Sequence, residues 1–301
     1  MISGKAVGSE LRIYRNSVAI VTGGASGIGR ALGIELAKRG AIVVLADLQV
    51  ELAEEAAAAI RAEGGQAESH QLDVTDFEAM SALVNDVVRT HGRLDFMFNN
   101  AGITVLGNAH LYELDDWNRL IDVNLKGVIH GVQAAYPTMR RQGFGHVVNT
   151  ASITGLIPVA GLLGYTTTKH AIVGLSNSLR VEAAEFGVRV SVLCPGAIET
   201  PIAVGGKYGR NLHSTSTDVQ RKLWEKAHPI SPTECAQQAL SAIGRNKAII
   251  VIPGWWKILW FIYRVSPLWG MRVARRVASK QNHAAKELAN RSAEPLAVVA
   301  Q

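Results

Sequence analysis

Cysteine is nearly absent from this 301-residue chain, which carries only Cys194 and Cys235. They lie far apart, with no CxxC pair and no neighbouring histidine pair. That argues against a disulfide framework or a thiolate metal centre and leaves two buried thiols as the expectation. The first residues, MISGKAVGSELRIYRN, lack the apolar stretch of a secretory signal, so a cytoplasmic location is expected. The chain also lacks an uninterrupted apolar run of about 20 residues, the length of a bilayer span. Its longest candidate, 248–263, contains Pro253 and Lys257 and must also supply a strand. No linker or repeat interrupts residues 17–253. A single domain is expected there, between an N-terminal extension (1–16) and a C-terminal extension (254–301).

Acid is scarce in one region only. Whole-chain net charge is +6. From residue 254 onward eight basic residues face two acidic ones, Glu287 and Glu294, and residues 1–253 balance at 23 of each. The body is neutral and the tail cationic, so the basic balance gives no reason to expect a nucleic-acid partner.

What is present is a rhythm. VAIVTG (18–23), IVVLAD (42–47), ESHQLD (68–73), LDFMFNN (94–100), HVVNTAS (146–152), VRVSVLCPG (188–196) and AIIVIP (248–253) alternate with helical patterns, several of them closed by glycine. Strands apolar at nearly every position are buried on both faces. Repeated strand–helix–strand units imply right-handed crossovers. The fold class expected is α/β, a Rossmann-type doubly wound, mostly parallel sheet of seven strands. Ser231-Pro232-Thr233-Glu234 reads as N-cap, first-turn proline and capping-box glutamate.

After the first strand comes Thr22-Gly23-Gly24-Ala25-Ser26-Gly27-Ile28-Gly29. Glycines here let backbone approach a pyrophosphate, and the following helix turns its N–H groups toward the anion. Asp47 closes the second strand, where a carboxylate can accept hydrogen bonds from an adenosine ribose and repel a 2′-phosphate. Leu48 and Gln49 offer no arginine to receive that phosphate, so NAD is expected rather than NADP. Tyr165 and Lys169 stand four apart at the start of a helix, on one face. A nearby ammonium favours the phenolate and brings a tyrosine toward proton exchange near neutrality. No histidine sits at a convincing ligand spacing, and no metal is expected.

TGGASGIG (22–29), Asp73-Val74, Asn99-Asn100-Ala101-Gly102, Asn124, Ser152, Tyr165 with Lys169, and Pro195-Gly196 follow one another in an order that resembles the short-chain dehydrogenase/reductase family, classical type, over roughly residues 17–253. The resemblance implies Tyr165 as general acid/base, Ser152 on the substrate oxygen, Lys169 as the cation that lowers the Tyr165 pKa and holds the nicotinamide ribose, and Asn124 as anchor of a proton-relaying water. It implies cofactor contacts from Gly23, Ser26, Gly27, Ile28 and Gly29 in the turn, and from Asp47, Asp73 and Val74 around the adenosine. Asn100, Ala101 and Gly102 would line the sheet edge, with Asn99 supporting it. Pro195, Gly196, Ile198 and Thr200 would meet the nicotinamide end. The implied activity is NAD-dependent interconversion of a secondary alcohol and a ketone. The alternative is a membrane-associated NAD-sensing or scaffold protein with vestigial chemistry. A homodimer or homotetramer, pairing through helices near 114–140 and 164–185, is likewise implied by the resemblance alone.

The segment ITGLIPVAGLLG (153–164) has one hydroxyl, Thr154, and no charge, which favours a lipophilic substrate such as a sterol or long-chain alcohol. Residues 203–228 resemble the family's substrate loop, with Gly205, Gly206 and Gly209 suited to a hinge. In the tail, Trp255, Trp256, Ile258, Leu259, Ile262 and Tyr263 surround a narrow stripe of Lys257 and Arg264. Ser266-Pro267 starts a second helix with Arg272, Arg275, Arg276 and Lys280 on one face. Two readings stand: a peripheral membrane surface, or a lid or subunit contact with solvated arginines. Residues past about 284 are expected to be poorly ordered.

Overall fold

The computed structural model describes residues 13–203, 208–212, 224 and 227–293, with side chains of the last helix through Lys280. Most of the expected substrate loop, Gly205 and Gly206 included, lies outside the described residues.

Seven parallel strands form the sheet: β1 (Val18–Thr22), β2 (Ile42–Asp47), β3 (Gln66–Gln71), β4 (Phe96–Asn99), β6 (Gly145–Thr150), β7 (Val188–Pro195) and β9 (Ile249–Ile252). Their spatial order is β3-β2-β1-β4-β6-β7-β9. Every residue of β1 is buried, as a central strand covered on both faces requires. One face packs against α1 (Gly27–Lys38), α2 (Val50–Ala62) and α7 (Pro232–Gly244) through Leu32, Leu36, Ile60, Leu240 and Ile243. The other packs against α3 (Phe77–His91), α5 (Gly127–Gln142) and α6 (Leu163–Ala183) through Met80, Val84, Val132, Met139 and Ile172. The chain leaves β1 in one direction along the sheet and resumes on its other side at β4. That reversal opens a crevice beyond the carboxyl ends of the strands.

Several local readings need correction. The helix expected near 114–140 comes in three pieces: α4 (Leu114–Leu120), a π-helical turn (Ile121–Lys126), then α5. Two short strands, β5 (Thr104–Leu106) and β8 (Gly209–Asn211), form a separate parallel pair. Gly209 is therefore a strand residue; a Cβ there would lie 2.0 Å from the Thr104 carbonyl oxygen. Ser231 caps α7 by accepting from the Glu234 N–H at 3.1 Å, but the Glu234 carboxylate accepts from Gln238 instead of closing a capping box. Tyr14, upstream of the expected domain start, is fully buried and donates its hydroxyl to the Leu240 carbonyl at 2.6 Å. The tail folds as α8 (Trp256–Val265) and α9 (Pro267–Ala293), so helix continues beyond 284. Gly270 lets the pair close tightly, since a Cβ there would stand 2.7–3.1 Å from Tyr263.

Candidate active site

The glycine-rich turn is shaped by close approaches. Gly23 has φ +66°, and a Cβ on it would meet the Ala101 Cα at 2.9 Å. Gly29 faces the Gly23 carbonyl so closely that a Cβ would sit 2.0 Å from its oxygen. Ser26 is the N-cap of α1, yet its side chain makes no capping hydrogen bond. The first N–H groups of α1 and the Ser26 hydroxyl are thus left to an incoming anion. Thr22 pins the turn to the next strand: its hydroxyl donates to the Phe98 carbonyl at 3.3 Å and accepts from the Asn100 and Ala101 N–H groups at 2.9 and 3.1 Å. The Asn100 amide donates to the Thr22 carbonyl at 3.1 Å. Asn100 is therefore bound into the scaffold that holds the turn.

Asp47 is tied to the same turn. One carboxylate oxygen accepts from the Ala25 N–H and the other from the Gln49 N–H, both at 3.0 Å. Each oxygen keeps a lone pair for a further donor. Asp73 is exposed, with one oxygen accepting from the Thr75 N–H and hydroxyl at 2.9 and 2.7 Å. Val74 is buried, its carbonyl accepting from His130 Nδ1–H at 2.9 Å, while its side chain fills the space beside Gly127. Ile198 sends its side chain into the core rather than the cleft. Thr200 crosses to the turn, its methyl only 3.2 Å from where a Gly27 Cβ would lie. Asn99 points away from the crevice, donating to Asn149 at 2.8 Å and crowding Gly131.

The four expected catalytic residues come together. Asn124, fully buried in the π-helical turn, is held at both ends of its amide by Ile103: it accepts from the N–H at 2.8 Å and donates to the carbonyl at 3.0 Å. A π-turn is a common way of aiming one side chain out of register. Gly102 lies between Asn124 and Lys169; a Cβ there would be 3.2 Å from Asn124 Oδ1 and 3.5 Å from Lys169 Nζ. The missing side chain leaves that space open. Ser152 accepts from the Thr154 N–H at 3.2 Å and donates weakly to the Pro195 carbonyl at 3.4 Å, with the Tyr165 phenol nearby.

Lys169, only 2 % exposed, donates to the Thr150 carbonyl at 2.8 Å. Its ammonium nitrogen stands 5.3 Å from the centre of the Tyr165 ring. Burial pushes the amine down to about 8, partly offset by the Cys194 thiol beside it. Burial also pushes the Tyr165 phenol up to about 12, and the nearby Ser152 hydroxyl only moderates this. The expected lowering of the Tyr165 pKa by Lys169 is therefore not the net result. The lysine sits over the ring and is engaged by a carbonyl, while desolvation acts on the phenol directly.

Two further groups shape the site, the first with no signature in the sequence and the second already marked there as part of a possible lid. The Thr150 carbonyl fixes the lysine, and no side-chain pattern signals a backbone acceptor. Trp256 of α8 lies against Gly196, where a Cβ would meet its Nε1 at 2.1 Å. Gly196 is thus glycine because an indole from the tail covers it. The indole N–H is buried without a hydrogen-bond partner. The Thr154 hydroxyl is likewise buried and unpartnered.

The residues fit a dinucleotide: a side-chain-free turn, a helix end with free donors, a fixed carboxylate at β2, and an open space at Gly102. The model for short chain dehydrogenases matches residues 17–207. A cyclohexanol dehydrogenase from Acinetobacter sp. strain SE19 is 38 % identical over 192 residues, 63 % of this chain and 76 % of that protein. A levodione reductase from Leifsonia aquatica is 36 % identical over 200 residues, 65 % of this chain and 75 % of its own. Among solved structures, a Burkholderia phymatum short-chain dehydrogenase/reductase in complex with NAD matches with TM-score 0.71 and 29 % identity, covering 79 % of this chain and 89 % of that one. A metagenomic short-chain oxidoreductase in complex with NADP matches with TM-score 0.65 and 30 % identity, covering 79 % and 98 %. With the ordered motifs, the parallel sheet and the assembled Asn124, Ser152, Tyr165 and Lys169 in agreement, the chain belongs to the short-chain dehydrogenase/reductase family of oxidoreductases, classical type.

Proposed function

We propose that the protein interconverts a lipophilic secondary alcohol and its ketone, with NAD as preferred cofactor. The observation that carries the reading is the Tyr165 phenol beside the Ser152 hydroxyl, with buried Lys169 Nζ 5.3 Å from its ring centre. When bound, a nicotinamide cofactor supplies the hydride acceptor or donor. The protein's own groups do the rest. Ser152 holds a rotatable hydroxyl whose bond to Pro195 is long, and it turns toward a substrate oxygen at little cost. Tyr165 exchanges the proton on that oxygen. Because burial favours neutral tyrosine, ketone reduction begins with the proton already in place, whereas alcohol oxidation needs the phenolate stabilised by charged Lys169. Lys169 stands beside the Tyr165 ring, and the gap at Gly102 between Lys169 and Asn124 would carry the proton onward.

NAD preference rests on Asp47, locked at the tip of β2 by two N–H donors, with exposed Leu48 beside it and no arginine following. Two relatives, a cyclohexanol dehydrogenase and a levodione reductase, accord with a cyclic secondary alcohol or ketone. Ile153, Leu156 and Ile157, which follow Ser152, are buried in the core, and the apolar stretch Pro158, Val159 and Ala160 lines a groove beside it. The test is NADH formation across matched short polar and long or cyclic lipophilic alcohols, with NADP in parallel. Preference for lipophilic alcohols with NAD is expected. Preference for NADP would overturn the role given to Asp47, and preference for small polar alcohols would overturn the substrate class.

A further inference from the structure

Helix α8 has two apolar faces. Trp256, Leu259, Trp260 and Tyr263, spaced three, one and three residues apart, turn inward and pack on the core. Ile258, Phe261 and Val265 turn the other way and are 65, 66 and 68 % exposed. Leu268 and Trp269, at the start of α9, continue that surface at 69 and 51 %. Large apolar side chains left this open in a contiguous strip are unusual for a face meeting water alone. Along the strip stand Lys257, Arg264, Arg272, Arg275, Arg276 and Lys280, with no acidic residue from 254 to 286. None of these six cations forms an ion pair among the described residues.

We propose that α8 and the first turns of α9 form a docking surface for an anionic lipid bilayer. Apolar side chains flanked by unpaired cations match the two layers such a surface offers, acyl chains below and anionic headgroups above. The helices lie on the membrane and do not cross it: among the described residues no helix is long and apolar enough to span. Docking would be rigid, because the inward face of α8 is packed on the core and Gly270 seats α9 against Tyr263. An apolar groove of about 300 Å³ between α9 (Met271, Ala274, Ala278) and the loop before Tyr165 (Pro158, Val159, Leu163) runs beside this surface. A lipid surface bound here would stand next to the substrate side of the cleft.

The test is co-sedimentation of the full chain with vesicles of phosphatidylcholine and phosphatidylglycerol in equal parts, against vesicles of phosphatidylcholine alone. Sedimentation velocity without lipid is run alongside. Binding to the mixed vesicles that weakens with added salt is expected. Replacing Arg272, Arg275 and Arg276 with Ser together is expected to weaken it about a hundredfold, at roughly fivefold per lost cation. An Ile258→Asp, Phe261→Asp variant is expected to lose binding even at low salt, while turnover of a water-soluble alcohol is kept. Absence of binding by the unmodified chain overturns the proposal. So does a face whose aspartate variant changes only the oligomeric mass, since its occupant is then a second copy of the chain. Vesicle binding is read without substrate, so it stands or falls separately from the proposed reaction.

Discussion

Helices α6 and α8 invert the usual distribution of residues in opposite ways. Helix α6 hides Thr168, Lys169 and Ser176 in the interior, and α8 holds Ile258, Phe261 and Val265 out in solvent. Folding alone favours neither arrangement. The cost in α6 is offset locally, by the Thr150 carbonyl under Lys169, by Tyr165 for Thr168, and by Ile172 for Ser176. The cost in α8 has no offset within the described protein. A buried polar group held by specific partners points to chemistry done inside the fold. An apolar group left uncovered points to something outside it.

Tyr165 gives the largest expected effect. Tyr165→Phe is expected to lower kcat/KM by about three orders of magnitude while cofactor binding, read by fluorescence quenching, persists. Retention of turnover would make α6 a structural helix only.

Buried charge elsewhere offers a control. His146, inside the sheet, is pushed down to about 3 by burial, with Arg189 and Arg180 adding to the shift. Ser191 donates to the Lys247 carbonyl, so its oxygen accepts from His146 Nε2–H. The folded protein leaves His146 neutral between about pH 3 and 6.5 while the unfolded chain protonates it. Stability is therefore expected to fall through that window as pH drops, by several kcal/mol in all, with no effect at pH 7. His146→Phe, which keeps the stacking on Phe96, is expected to flatten this limb in urea titrations at graded pH.

Lys169→Met separates chemistry from stability. The folded pKa of about 8 lies below the ordinary 10.5, so the charged amine destabilises the native state below pH 8. This penalty fades between pH 8 and 10.5 and vanishes above. The variant is expected to be inactive yet about 2 kcal/mol more stable at pH 7, the advantage disappearing by about pH 10.5. Equal stability across that range would mean the amine is not desolvated.

The smallest effect sharpens the contrast within α8. Phe261→Ser is expected to change unfolding stability by no more than about 0.5 kcal/mol. Trp256→Ala, on the inward face of the same helix, is expected to cost about 3 kcal/mol. Similar losses from both would place Phe261 in the fold rather than at a surface for a partner.

Local pattern made much of this readable. The buried strands, the glycine turn, Asp47 at the end of β2, and Tyr165 with Lys169 four residues on all follow from short-range spacing, and each lies where its spacing implied. Contacts made across the chain were not readable. Asn124 meets Ile103 and Thr168 only because a π-turn rotates it, and nothing in VNLKG signals the extra residue. Lys169 reaches a backbone carbonyl, which every residue possesses. The β5–β8 pair joins three-residue strands about a hundred positions apart, too short for alternation to reveal. The double apolar character of α8 was visible as excess tryptophan, but which half met the core depended on where β9 delivered it.

The indole of Trp256 rests on Gly196 and stacks on Trp255 with ring centres 4.2 Å apart. The protein therefore carries a built-in optical probe at the boundary between cleft and tail. A molecule settling against Gly196 from one side, or a surface pressing on Trp255 from the other, alters the surroundings of the same pair of rings. In a chain whose other four tryptophans are replaced by phenylalanine, emission from this pair would report both arrivals, and Trp255→Phe would tell them apart.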